Sequence, residues 1–275
     1  MDGAAGGEDK RGRGGDAGVG DVQPSGDDQH ARGDRQRVAV VSGGSSGIGR
    51  SFVAALHAEG YWVFTCGRDE EKLHRVETEF PGVRTFACDM VDAIAVRQVA
   101  AAVQSFSPGV DLLISNAGVL REVDFGDPAI ASTELLSEIE VNLSGPIQFI
   151  ASFMPALRVA APSNIIVISS GYALAPATRA PIYSAAKAGL RSFCKGLRRQ
   201  VAGLGISVTE VAPPLVDTPS VRHRSGAKLS SDDVVRAALN GARRDRPEIL
   251  PGSVRWLPLL LKLAPGYAEQ LIAKT

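Results

Sequence analysis

The chain lacks most of what would mark a secreted, metal-holding or nucleic-acid-binding protein. Its three cysteines, Cys66, Cys88 and Cys194, are few, odd in number and far apart. They make neither a disulfide framework nor a zinc ligand set, and a reducing compartment is the natural setting. Four histidines (His30, His57, His74 and His223) are scattered, with His57 and His74 on predicted exposed helix faces, so no metal site is expected. Thirty acidic residues balance thirty basic ones, and no long basic run suggests a nucleic-acid partner. The N-terminus has no apolar core of the kind a signal peptide needs, and a cytoplasmic location is the expectation. Long apolar runs are missing too. The most apolar stretch, Trp256 to Ala264, is broken by Pro258 and Lys262. It falls well short of the roughly 20 residues a membrane span needs. A helix packed on its own domain or on a partner subunit is expected there, ahead of a membrane-surface helix.

Residues 1 to 36 are dominated by Gly, Asp, Arg and Ala and are nearly devoid of apolar side chains. Such a segment cannot bury enough apolar surface to offset its ordering entropy, so a disordered N-terminal tail is expected. Its Arg32-Gly33-Asp34 tripeptide reads as compositional chance. Residues 37 to 275 read as one domain with a C-terminal helical segment.

From Arg37 onward, short apolar runs alternate with amphipathic stretches. Strands are predicted at Val38–Val41, Trp62–Cys66, Val83–Ala87, Leu112–Ser115, Ile165–Ile168 and Ile206–Val211, with a short edge strand at Glu248–Leu250. Helices are predicted at Ser51–Glu59, Asp69–Glu79 and Ala93–Phe106, with further long helices between the later strands. Near-continuous apolar strands alternating with helices point to a parallel sheet covered on both faces. The expected fold class is therefore α/β, a doubly wound parallel sheet of Rossmann type, with ligands bound beyond the carboxyl ends of the strands.

Ser42-Gly-Gly-Ser-Ser-Gly-Ile-Gly49 lies between the first strand and the first helix, where a pyrophosphate meets backbone N–H groups and the positive end of a helix dipole. Gly43 can take turn conformations closed to other residues, Gly47 lets backbone approach phosphates, and Gly49 allows close helix–strand contact. Ser45, Ser46 and Ile48 belong to the same cradle. A glycine-rich loop alone is weak evidence; its place after a strand and before a helix gives it weight. The spacing resembles the Thr-Gly-x-x-x-Gly-x-Gly motif of the short-chain dehydrogenase/reductase family, with Ser42 in place of Thr.

At the end of the second strand an acid would hold the 2′-hydroxyl of NAD, and a base would accommodate the 2′-phosphate of NADP. The chain has Cys66-Gly67-Arg68, with no carboxylate before Asp69. NADP is therefore the expected cofactor and NAD the second choice, with Arg68 offering a bidentate fork to phosphate. Arg50 could contribute, although a surface role fits it equally well. The family resemblance further implies that Asp89 hydrogen-bonds the adenine amino group. It also matches Asn116, Ala117 and Gly118 of Ser115-Asn-Ala-Gly118 to the turn after the fourth strand.

Asn142, Ser170, Tyr183 and Lys187 are the candidate catalytic residues. Tyr183 and Lys187 are four apart in helical sequence and share one helix face. Of the four tyrosines, only Tyr183 has a lysine at that offset. A free tyrosine titrates near about 10, and an adjacent ammonium lowers that value by favouring the phenolate. Ser170 lies thirteen residues before Tyr183, at the end of a predicted strand, where its hydroxyl can hold a substrate oxygen. Singly, each could be a packed aromatic, a solvated lysine or a turn residue. Their order, spacing and context together make coincidence a poor account.

The resemblance implies hydride delivery from nicotinamide C4 to a carbonyl carbon while Tyr183 protonates the oxygen, with Tyr183 as base in the reverse direction. It implies that Lys187 also binds the nicotinamide ribose and that Asn142 holds a water in a relay to the lysine. After the sixth strand, Ala212-Pro-Pro-Leu-Val-Asp-Thr218 resembles the family's Pro-Gly-x-Val-x-Thr, with Pro213 at its start and Val216 and Thr218 at the carboxamide. Pro214 stands where the family has Gly, which removes a donor and stiffens the turn. Together with Cys66-Gly67-Arg68 and a short final region, this resembles the DltE-type bacterial oxidoreductases; the family resemblance spans residues 37–250. The expected substrate is a small-molecule carbonyl or alcohol, small or medium in size and hydrophobic, against an apolar lining of Leu120, Tyr172, Leu174 and Leu215, with Arg121 and Arg179 near the rim. Pro219 to Ser231 reads as a substrate lid. A homodimer or homotetramer is implied by resemblance alone. The competing reading is a catalytically silent NADP(H)-binding sensor or scaffold, which loss of Tyr183 or Lys187 would have favoured.

Overall fold

Residues 35–128, 130, 132–218 and 228–273 are described by a computed structural model. The predicted tail up to position 34 and positions 219–227 of the predicted lid lie outside these residues. The folded unit begins at Gln36, slightly before the predicted boundary. The Gln36 side chain donates to the Gly60 carbonyl. Arg37 lies over the Tyr61 ring at 4.2 Å and donates to the Glu59 carbonyl. These bonds tie down Gln36, which composition assigned to the tail, and Arg37, the first residue of the predicted domain.

Among the described residues, seven strands form one parallel sheet: β1 Val38–Ser42, β2 Trp62–Gly67, β3 Arg84–Ala87, β4 Leu112–Ser115, β5 Ser163–Ile168, β6 Ile206–Val211 and β7 Glu248–Ile249. Their spatial order is β3-β2-β1-β4-β5-β6-β7. The order reverses between β1 and β4, which opens a crevice at the carboxyl ends of the strands. The predicted doubly wound sheet is therefore present.

Alternate residues of each strand feed two cores. Val38, Val40, Leu113, Ile165 and Val167 face one side, where they meet α3 Ala93–Phe106, α5 Gly145–Val159 and α6 Pro181–Val201. Ala39, Val41, Leu112, Ile114, Ile166 and Ile168 face the other, against α1 Gly47–Ala58, α2 Glu70–Glu79 and α7 Ser231–Ala242. Burial of one such Val, Leu or Ile side chain contributes about 1.5–3 kcal/mol. Asp111 ties β1 to β4 at their starts, its carboxylate accepting the Val38 N–H at 2.8 Å.

Between β4 and α5, the chain forms α4 Ser132–Ile139 and then a π turn, Glu140–Ser144. A continuous α-helix would need a bond from the N–H of residue 146 to the carbonyl of Asn142. Pro146 has no N–H to give, and the wider turn passes over that step.

At the C-terminal end, α8 Leu257–Leu263 and α9 Pro265–Ala273 close over a small third core of Ala175, Val254, Leu257 and Ala268. The apolar stretch thus packs partly on its own domain, as expected, while Trp256, Leu259 and Leu263 stay exposed. No helix among the described residues is long and apolar enough to cross a membrane.

Candidate active site

The crevice at the switch point is a cleft of about 1210 Å³, large enough for a dinucleotide with a small substrate. At its floor the chain leaves β1 through Gly43 (φ +70°) and enters α1 at Gly47 (φ +52°), backbone conformations that favour glycine. Gly43, Ser45, Ser46, Gly47 and Ile48 line the cleft. Ser46 starts α1 without a side-chain cap bond, so its hydroxyl is not spent on its own helix.

Gly49 departs from its expected role. A Cβ there would sit 2.1 Å from the Gly43 carbonyl oxygen and 2.5 Å from Asn116 Nδ2. Its absence therefore serves the turn itself rather than helix–strand packing. The sequence reading missed one partner of this turn, Thr65. Gly44 donates its N–H to Thr65 Oγ1 at 3.1 Å, and Thr65 Oγ1 donates to the Val41 carbonyl at 2.7 Å. A threonine inside the otherwise apolar β2 was the available signal. Ser42 Oγ accepts the N–H groups of Asn116 and Ala117 at 3.0 and 3.1 Å, and Asn116 Nδ2 donates back to the Ser42 carbonyl. The turns after β1 and β4 are stitched into one floor.

Gly49→Ala is expected to destabilise the fold by roughly 2 kcal/mol or more, because backbone must shift. Gly196→Ala on α6, where a Cβ meets nothing within 4 Å, should stabilise by about 0.5–1 kcal/mol. Denaturant titration of the two variants checks the contrast.

At the far end of the cleft, Arg68 is exposed and makes no ion pair among the described residues. Asp69 caps α2, accepting the Lys72 N–H at 3.0 Å and pairing with Lys72 Nζ at 2.6 Å. The Lys72 hydrogen bonds hold its carboxyl below the usual range. Lys72, which the sequence reading did not single out, brings a second cation to this end. Arg50 is turned elsewhere, onto Glu79 and the Phe80 ring. Asp89 lines the cleft and accepts the Val91 N–H at 3.2 Å.

The predicted catalytic residues converge from three elements. Ser170 follows β5; its Oγ accepts the Tyr172 N–H at 3.2 Å, which leaves the hydroxyl proton to donate. Pro181 at the first turn starts α6, the helix that carries Tyr183 and Lys187. The half-buried Tyr183 ring stands edge-on to Tyr172, with centroids 6.2 Å apart. Lys187 is buried, its Nζ 5.6 Å from the Tyr183 ring centroid and donating to the Ile168 carbonyl at 3.0 Å. Burial lowers its pKa to about 8. One turn further, Arg191 pairs with the buried Glu210 at 3.0 Å, and Glu210 accepts the Ser169 hydroxyl at 2.7 Å. This bracket fixes α6 against the end of β5 on which Ser170 sits.

Asn142 is fully buried in the π turn. Its Oδ1 accepts the Val119 N–H at 3.2 Å, and its Nδ2 donates to the Val119 and Glu138 carbonyls at 2.8 and 3.0 Å. Asn142 and Lys187 meet at Gly118, where a Cβ would lie 2.8 Å from Asn142 Oδ1 and 3.5 Å from Lys187 Nζ.

Pro213, Pro214, Leu215, Val216 and Thr218 line the cleft. The Pro213 carbonyl accepts the Gly171 N–H at 2.9 Å. Thr218 lies against Gly47, where a Cβ would be 3.1 Å from its methyl. Leu120, Tyr172, Arg121 and Arg179 line the substrate end as expected. Leu174 does not: it packs into the third core with Val254 and Leu257. Val254 and Ile272 take its place in the lining. They come from the C-terminal region, whose approach to the cleft no local pattern announces.

A family model described as short chain dehydrogenase matches residues 37–228. The oxidoreductase DltE of Bacillus subtilis is 32% identical over 219 residues, covering 76% of this chain and 86% of its own. An oxidoreductase of Staphylococcus aureus strain MW2 is 29% identical over 212 residues, covering 74% and 89%. Among solved structures, a short chain dehydrogenase from Burkholderia cenocepacia in complex with NADP superposes with a TM-score of 0.77 at 25% identity, covering 86% of this chain and 98% of that one. A variant actinorhodin polyketide ketoreductase with NADPH gives 0.72 at 26% identity, covering 78% and 95%. With the glycine turn, the switch-point cleft and the Ser170–Tyr183–Lys187 cluster in view, the chain belongs to the short-chain dehydrogenase family, an oxidoreductase by fold and by relatives.

Proposed function

We propose that the protein is an NADP(H)-dependent reductase or dehydrogenase of a small carbonyl or alcohol, with Tyr183 as general acid and base. The observation that carries this reading is the buried Lys187 ammonium beside the Tyr183 ring, on one face of α6 and at the same end of the cleft as Ser170.

The residues present fit a 2′-phosphorylated dinucleotide. Positive-φ glycines open the backbone at the head of α1, and Arg68 and Lys72 face the cleft beyond β2. The carboxylate next to Arg68 in sequence, Asp69, is spent on Lys72 and the α2 cap. NADP in one solved relative and NADPH in the other support the same choice. Arg68→Ser is expected to raise the KM for NADPH roughly ten- to a hundredfold, the worth of a charge-assisted bond, while leaving that for NADH nearly unchanged. Initial rates with both cofactors check this.

When bound, NADPH supplies a hydride from nicotinamide C4 to the carbonyl carbon. Ser170 donates its hydroxyl proton in a hydrogen bond to the carbonyl oxygen and holds it beside Tyr183. Tyr183 transfers its phenolic proton to that oxygen as negative charge develops there. Lys187, protonated below about pH 8, stabilises the phenolate left behind. The Asn142 side chain is committed to Val119 and Glu138, so a proton-relay water would meet its main-chain carbonyl, which Pro146 cannot engage. The convergence of all these groups supports turnover over a silent binding role. Consumption of NADPH across a panel of aldehydes and ketones tests the reading. Turnover of at least one carbonyl is expected, and tight NADPH binding with no turnover of any would overturn it.

A further inference from the structure

Glu138, near the end of α4, is 1% exposed, and the chemistry above does not use it. A carboxyl group taken out of water is costly unless its oxygens are hydrogen-bonded. Burial pushes its pKa up, against the Arg121 N–H and the Arg121 charge, which pull it down. Its Oε1 accepts the Arg121 backbone N–H at 2.9 Å. Its own carbonyl accepts Asn142 Nδ2 at 3.0 Å. Asn142, one turn on, takes both the N–H and the C=O of Val119.

Two side chains four residues apart therefore grip one strip of main chain, Val119 through both its polar groups and Arg121 through its N–H. The backbone groups engaged belong to residues i and i+2, the alternation by which a neighbouring strand would pair. Yet residues 119–121 belong to no strand or helix. All three line the cleft, Leu120 and Arg121 at its substrate end. Besides the grip, the strip is tied by the Arg121 guanidinium, which donates to Ser137 at 3.0 Å, and by the Val123 N–H, which donates to the Arg179 carbonyl at 2.9 Å; the grip is what engages the main chain of 119–121 itself.

We propose that Glu138 is a positioning residue for the substrate wall: it works with Asn142 as a surrogate strand that fixes Leu120 and Arg121 opposite Tyr172. The proposal rests on the reductase reading for its kinetic consequence, though not for its structural one. Displacement of this wall should weaken the hold on the carbonyl substrate and leave Ser170, Tyr183 and Lys187, which hang from other elements, in place.

Three versions of the full chain test it: wild type, Glu138→Met, which keeps the length but offers no comparable acceptor, and Glu138→Gln, which keeps an oxygen. In Glu138→Met the KM for the carbonyl should rise about tenfold, with kcat and the KM for NADPH changed by less than about threefold; Glu138→Gln should restore most of the loss. An unchanged carbonyl KM in folded Glu138→Met, or an equal fall in kcat, would overturn the proposal. Hydrogen exchange gives a readout that needs neither turnover nor a folded variant. In the wild-type protein the Val119 and Arg121 amides should exchange slowly despite lying outside any regular element, and fast exchange at Arg121 would refute the grip. Slow exchange in a protein that reduces no carbonyl would instead uphold the grip and sink the reductase reading.

Discussion

Tyr183→Phe should lower kcat for carbonyl reduction by about a thousandfold while leaving NADPH affinity and the melting temperature nearly unchanged. The substitution deletes one oxygen and its proton and keeps the ring, which stands half-buried and edge-on to Tyr172. General acid–base catalysis is worth about a hundred- to ten-thousandfold. Loss of the Tyr183 phenol, which lines the cleft together with Ser170 and Lys187, should forfeit most of that. The cleft floor that would hold the dinucleotide is built by the turns after β1 and β4 and by Thr65, tied together through Gly44, Ser42 and Asn116. Steady-state kinetics with NADPH titration by fluorescence checks both halves. A variant that lost cofactor binding and turnover together would point to a structural role for Tyr183.

Lys187→Met should separate activity from stability in opposite directions. Turnover should fall by about a hundredfold or more, because Tyr183 loses the cation that favours its phenolate. Stability should rise. Lys187 is 3% exposed, its Nζ donates to the Ile168 carbonyl, and burial lowers its pKa from 10.5 to about 8. At 1.36 kcal/mol per unit, that difference corresponds to about 3 kcal/mol of burial cost while the group is charged. The lost hydrogen bond takes back about 1 kcal/mol, for a net gain of about 2 kcal/mol. The pH dependence has a definite sign. Between about pH 8 and 10.5 the unfolded lysine binds more protons than the folded one, so wild-type stability from this group rises with pH across that window. The advantage of methionine should be full below pH 8 and fade towards pH 10.5. Melting temperatures of the two proteins at several pH values test this, and a constant difference would contradict it. A site that tolerates such a cost is a sign that the charge serves chemistry rather than the fold.

How much of this was legible in the sequence follows from what each element depends on. Strands such as Val38–Ser42 and Leu112–Ser115 show as apolar runs because both faces of the sheet are covered. The start of β5 was hidden, since Ser163 and Asn164 are polar; Ser163 spends its hydroxyl on the Leu157 carbonyl and is buried all the same. α1 begins at Gly47, four residues before its apolar pattern. Glycine and serine are poor helix formers, and that first turn is shaped by the phosphate cradle rather than by propensity.

The site splits the same way. The placement of Tyr183, Lys187 and Ser170 in the cleft was readable because it follows from spacing along local elements. Thr65, Lys72 and Glu138 were not, since each acts through a partner distant in sequence or looks like a solvated charge on an amphipathic helix. Glu138 in particular lies two residues from Glu140, and only the fold tells the buried one from the exposed one. Leu174 failed for the converse reason: it is apolar and close to Ser170, but the C-terminal helices claim it.

The central claim is that this cleft transfers a hydride with Tyr183 as its proton donor. It is tested most directly with NADPH deuterated at both C4 positions, a carbonyl turned over by the wild-type protein, and mass analysis of the alcohol formed. One deuterium on the former carbonyl carbon, with its appearance slowed about a thousandfold in Tyr183→Phe, is the predicted result. An alcohol without deuterium, or equal labelling rates in the two proteins, would contradict the account.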